Sequence, residues 1–216
     1  LQTNSTAGPQ TLIAANNVKL NGTNLGALTL ANSATLSARD IAAWVNGITP
    51  TPNVTAVADS TRFYKWSDMN ATGGLTINGT TVIGGGIGAP ADIRGLMTLI
   101  NNQTGSTNVE AALMPDDTLQ ISNTDAHVGK NITLGGGGAG NNFLGEADGI
   151  KTGRVIYTSD NTGTATRNDG TVNFEFVNYG TGAGTARDLS RIGLATTITS
   201  NTTLDDDLLL YVTGSA

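Results

Sequence analysis

One histidine, His127, is available in this sequence as a base that titrates near neutral pH, and Asp125 lies two residues before it. Ser-His-Asp chemistry needs the imidazole buried between a nucleophile and an orienting acid. His127 instead closes the polar stretch Asn123-Thr124-Asp125-Ala126-His127, which reads as an exposed turn. Acidic residues cluster at Asp116-Asp117 and Asp205-Asp206-Asp207. A calcium site needs about six oxygens offered at alternating positions with a turn glycine. Successive aspartates point in different directions, so solvated turns or a helix start are expected. The glycine runs Gly84 to Gly86 and Gly135 to Gly138 have the look of phosphate cradles, which require Gly-Lys-Ser/Thr. Gly129-Lys130 is followed by Asn131 and neither run carries a lysine, so flexible loops are expected.

A two-carboxylate glycosidase is not excluded by spacing alone. Such clefts stack sugars on aromatic rings, however, and both tryptophans have simpler explanations. Trp44 falls on an apolar helix face and reads as core, while Trp66, with Phe63 and Tyr64, is expected to pack where two repeats meet. Asn-x-Ser/Thr sequons at Asn4, Asn21, Asn53, Asn70, Asn78, Asn102, Asn131 and Asn201 follow from composition. No catalytic, cofactor-binding or metal-binding residue is assigned, and the chain is expected not to be an enzyme.

The elements that carry these residues follow from an unusual composition. The 216 residues include 34 Thr, 22 Asn and 29 Gly, with 5% aromatic and 13% charged residues. Threonine favours strands, while asparagine and glycine accept the positive φ of tight turns, so short strands and many turns are expected over aliphatic cores. The net charge of −6 and the scattered Lys and Arg leave no footprint for nucleic acid or for an anionic membrane. No run of 18 apolar residues marks a membrane span. With no cysteine, disulfides, thiol catalysis and thiolate metal sites are excluded. The opening Leu1 and the absence of a signal pattern point to a fragment or a processed product.

An internal repeat organises the first two thirds. Val18 to Val57 and Leu75 to Leu113 run in the same order: an alternating strand, Asn-Gly-Thr, a segment with helical spacing, and a second alternating strand. Asn21-Gly22-Thr23 aligns with Asn78-Gly79-Thr80, Asp40-Ile41 with Asp92-Ile93, Val45-Asn46 with Ile100-Asn101, and Asn53-Val54 with Asn108-Val109. Asn-Gly between apolar alternations predicts a hairpin. Ser37 with Asp40, and Pro90 in a first turn, predict helix starts. Apolar spacing places Ile41, Trp44, Val45 and Ile48, then Ile93, Leu96, Met97 and Ile100, on helix faces. Pro50 and Pro52 are expected to end the first helix and Gly105 the second. Strands are expected at Thr118 to Ser122 and Ile132 to Leu134. Further along, Val155 to Tyr157 and Val172 to Val177 are expected to form a hairpin across Asp160, Asn161, Gly163 and Asp169-Gly170. Leu189 to Leu194 predicts a short helix and Leu208 to Val212 a final strand. The fold class is therefore α+β, mostly β, with small antiparallel sheets each covered by one helix and a β-rich C-terminal part. Domain boundaries fall at 1–68, 69–145 and 146–216.

The repeat resembles the flagellin hook IN motif, through Leu75-Thr76-Ile77-Asn78-Gly79, Ala91-Asp92-Ile93, Leu99-Ile100-Asn101, Thr104-Gly105 and Asn108-Val109-Glu110-Ala111. Asp116 to Ser122 is similar to the strand that closes the motif, and residues 18–57 form a looser second match. The resemblance covers under half of the chain. It implies the outer, extracellular domains of bacterial flagellins and of hook-associated or filament-cap proteins. Their function is structural, and their partners are other flagellar subunits, reached through segments outside this chain. No cofactor is implied, and a fragment of this kind is expected to be monomeric. The alternative is an adhesion module of a large secreted bacterial surface protein, with a host surface or glycan as partner.

Overall fold

The computed structural model describes residues 3–5, 7–48, 54–159, 172–177, 180, 182–194, 197–198 and 210–211. Pro50, Pro52, Asn53, the expected turn at 160–170, Asn201 and Asp205 to Asp207 lie outside them. In chain order the elements begin with β1 (Gln10–Ile13), β2 (Val18–Leu20), β3 (Thr23–Asn24), β4 (Leu28–Leu30), α1 (Ala38–Asn46) and β5 (Val54–Asp59). Next come β6 (Arg62–Lys65), β7 (Leu75–Ile77), β8 (Thr80–Ile83), α2 (Ile93–Asn102), α3 (Thr104–Thr107), β9 (Val109–Leu113), β10 (Thr118–Asn123), β11 (Ile132–Gly135) and β12 (Gly149–Lys151). The chain closes with β13 (Arg154–Ser159), β14 (Phe174–Phe176), α4 (Ala186–Arg191), β15 (Thr197–Ile198) and β16 (Leu210–Tyr211). The class is α+β and mostly β, built from small antiparallel sheets.

Both Asn-Gly pairs form two-residue hairpin turns. Asn21 and Gly22 have φ of 48° and 81°, and Asn78 and Gly79 have 49° and 82°. Two successive positive φ values match the right-handed twist of the flanking strands, here β2–β3 and β7–β8. The turn asparagine then receives a third strand. Asn21 donates its N–H to the Asn173 carbonyl, and its side-chain oxygen accepts the Asn173 N–H, both at 2.9 Å. Asn78 does the same with Thr133, both at 2.8 Å. Hence β14 pairs with β2, placing Phe174 opposite Leu20, and β11 pairs with β7, placing Leu134 opposite Ile77.

The helices repeat a second lock. The Asn101 amide, at the end of α2, donates to the Ala111 carbonyl (2.9 Å), and its oxygen accepts the Ala111 N–H (2.7 Å). Asn46, at the end of α1, makes the same pair of bonds to Ala56, both at 2.8 Å. Each bond pair closes the helix onto the following strand, so the sequence alignment corresponds to equivalent contacts.

The chain divides into two compact units, residues 1–36, 40–57 and 155–216, and residues 37–39 and 58–154. One unit thus interrupts the other in sequence. In the second unit β9 and β10 are joined by a tight turn. In the first, β5 pairs with β13, and residues 60–153 run between them. In sequence, the second unit is therefore inserted between β5 and β13. Unit 1 buries Ile13, Val18, Leu20, Val45, Phe174 and Leu189. Unit 2 buries Leu75, Ile77, Leu96, Ile100, Leu119 and Ile132 in one continuous cluster.

Several expectations are corrected. The strands 154–159 and 174–176 do not pair with each other; they join β5 and β2. Local turn signals misled there, because the first copy already offered both strands an open edge. Pro90 precedes the helix rather than opening it: Asp92 is the N-cap, accepting the Gly95 N–H at 2.8 Å. Gly105 lies inside the short helix α3, and the left-handed residue that ends this helical stretch is Asn108, at φ 57°. Trp44 is only half-buried, its indole N–H donating to the Gly26 carbonyl at 2.8 Å.

Candidate functional site

Alternation along β6 turns Tyr64 into the core of unit 2 and leaves Phe63 outside, 55% exposed. Trp66 sets its ring against Phe143, with centroids 6.0 Å apart. The three aromatics thus divide between core, surface and a ring contact within unit 2.

Phe63 lies at a shallow groove of about 370 Å³, walled by residues 59–63 and 152–154. The first wall is the turn between β5 and β6, where the Asp59 carboxylate accepts the Thr61 N–H at 2.8 Å. The second wall leads from β12 into β13. Arg154 donates to Asp59 Oδ2 through Nε (2.9 Å) and Nη2 (2.8 Å), although its side chain is 71% exposed. A Cβ on Gly153 would stand 2.5 Å from the Asp59 carbonyl oxygen, so the walls meet with no room for a side chain. Ser60 is buried between them and accepts from the Asn123 amide at 2.9 Å.

Beside the groove, Glu146 bridges Arg62 (3.1 Å) and Lys151 (2.7 Å). Burial alone would raise the Glu146 pKa, but the Lys151 hydrogen bond and the charges of Arg62 and Lys151 outweigh it and hold the carboxyl below its usual range. Asp59 behaves alike: burial raises it, and the hydrogen bonds from Thr61 and the Arg154 cation bring it below normal. Both carboxylates are thus held in the ionised form, and each fixes a guanidinium, Asp59 that of Arg154 and Glu146 that of Arg62. Burial, then the Glu146 charge, raises the Tyr64 hydroxyl, which remains neutral.

The residues singled out from sequence are not gathered here. His127 is half-buried rather than exposed, in a short 3-10 turn, with its Nδ1 3.2 Å from the Thr124 hydroxyl. Asp116 and Asp117 are exposed in the β9–β10 turn, where the Asp116 carboxylate accepts the Thr118 N–H at 3.1 Å. Among the described residues, no three metal-ligating side chains come together, and no helix is long and apolar enough to cross a membrane. The run from Gly135 is not a loose loop: a Cβ on Gly136 would lie 2.6 Å from the Gly74 backbone, at φ +103°. These glycines allow backbones to touch, a role that composition does not distinguish from flexibility.

Asp59 and Arg154 are 95 residues apart, and no local signal links them. The only sequence clue is the repeat, since a unit inserted into a hairpin must bring its two ends together. In comparisons with known proteins, no family model matches the chain and no curated relative matches it.

Proposed function

We propose that this chain is the surface-exposed, structural part of a bacterial flagellar axial protein, a flagellin or a hook-associated or cap protein, and that it carries no catalysis. The duplicated unit is what supports this reading. The residues that carry the resemblance are also those that lock each copy: Asn21 and Asn78 at the hairpins, Asn46 and Asn101 at the helix ends. Such a unit supplies a rigid polar surface, and its mechanism is assembly. Immunogold electron microscopy with antibody to this chain tests the assignment. Label along filaments marks a flagellin, and label at the junction or tip marks a hook-associated or cap protein. Label on the cell body with bare flagella overturns it. That last outcome matches a second reading, an adhesion module of a secreted surface protein, which the groove beside Phe63 favours.

A further inference from the structure

We propose that the groove between residues 59–63 and 152–154 binds a carboxylate-bearing sugar, such as a uronic acid residue of an acidic glycan. The inference concerns unit 2 alone and holds whether the chain decorates a filament or a cell surface. An apolar cofactor calls for an enclosed cavity, whereas this groove is open and sets the Phe63 ring beside hydroxyl, carboxylate and guanidinium groups. A pyranose has an apolar C–H face and a polar edge, and the groove offers a counterpart to each. Phe63 is the apolar platform, 55% exposed in a chain with only four phenylalanines. The register of β6 forces it outward, because Tyr64 takes the inward position.

The polar edge favours an anion. The cation of the open edge is Arg154; Arg62 lies on the Tyr64 side of β6 and is paired with Glu146. A guanidinium has several N–H donors arranged as a fork that matches a carboxylate. Arg154 commits two of them, both to one oxygen of Asp59, and its side chain remains 71% exposed. Asp59 therefore orients the guanidinium and leaves its remaining N–H donors for a ligand. The Thr61 and Thr152 side chains flank the site as partners for ring hydroxyls. The contact between Gly153 and the Asp59 backbone sets the walls before any ligand arrives.

The test is a titration of the ¹⁵N-labelled chain with sodium glucuronate, with glucose and sodium acetate as matched probes. Glucuronate is expected to shift the amides of residues 59–63 and 152–154, with a Kd on the order of 1 mM. Glucose and acetate, each lacking one half of the recognition, are expected to bind at least about tenfold more weakly. Phe63→Ala and Arg154→Gln should each weaken glucuronate binding by about tenfold, with the rest of the spectrum unchanged. Arg154→Lys keeps the charge but not the fork and should fall between. No shift at these amides overturns the proposal. Acetate binding as tightly as glucuronate leaves a simple anion site and overturns the sugar. Tighter binding of a short peptide through its C-terminal carboxylate makes the groove a peptide site and overturns it as well.

Discussion

Asn101 and Asn46 show how much one side chain settles. Each satisfies both the N–H and the C=O of an alanine ten residues later, backbone groups that have little access to water. Replacing Asn101 with Ala leaves both groups without a partner, at a cost of about 1–3 kcal/mol. Urea denaturation should show that loss for Asn101→Ala in unit 2 and a comparable loss for Asn46→Ala in unit 1. A loss under about 0.5 kcal/mol would mean that water takes over the bonds. The aligned asparagines were legible in the sequence, but their partners were not, because a helix-terminal Asn serves equally well as a cap or a surface residue. Trp44 is similar: helical spacing assigned its face, yet a half-buried indole bonded to Gly26 depends on a loop that spacing does not describe.

At the scale of elements, pairing is decided by available edges. The strands 154–159 and 174–176 carry every local mark of a hairpin, yet β5 and β2 take one each. The Tyr157 ring lies edge-on to Phe174, at 5.1 Å and 67°, and burial raises its hydroxyl to about 12. The glycine run gives a sharp contrast between two readings of one residue type. Gly136→Ala would drive a methyl into the Gly74 backbone at positive φ and should cost about 2–4 kcal/mol. Gly138→Ala meets no atom within 4 Å, at φ +59°, and should cost only about 1 kcal/mol. Equal effects on thermal unfolding would restore the flexible loop. The ion-pair bridge from Arg62 through Glu146 to Lys151 gives a pH signature. A carboxylate held below its ordinary value stabilises the fold above that value, 4.5 for Glu146, and the gain disappears as pH falls through the lowered one. Glu146→Gln should therefore cost about 0.5–1 kcal/mol at pH 7, discounted for its solvent exposure, and progressively less as pH falls below 4.5. Thermal melts of both proteins from pH 7 downward check it, and a gap that does not narrow below pH 4.5 would point to lost packing instead.

The whole molecule is organised by nesting. In sequence, unit 2 is inserted between β5 and β13, and within it Asp59 is bonded to Arg154. Its core cluster draws on residues 64–144 only. Residues 58–154 expressed alone should thus unfold cooperatively, with a stability of roughly 5 kcal/mol or more. In the reciprocal deletion, residues 60–152 are replaced by the short turn that joins β9 to β10. That deletion should leave unit 1 folded, which circular dichroism and amide dispersion would report. Non-cooperative unfolding of the isolated insert would sink the view of two self-contained units.

Local chemistry alone determined the two Asn-Gly turns, the presence of α1 and α2, and the fold class. Asn-Gly requires positive φ, apolar residues at helical spacing require a buried face, and alternation requires strands; all three act within a dozen residues. The duplication was legible for the same reason, since it repeats local signals in order. Only the tertiary structure decided which strand fills each open edge, that one unit interrupts the other in sequence, and that Asp59, Phe63 and Arg154 share a groove. Those outcomes depend on contacts between residues about a hundred positions apart. Backbone hydrogen bonding there is nearly indifferent to side-chain identity, so the sequence leaves little trace of the choice.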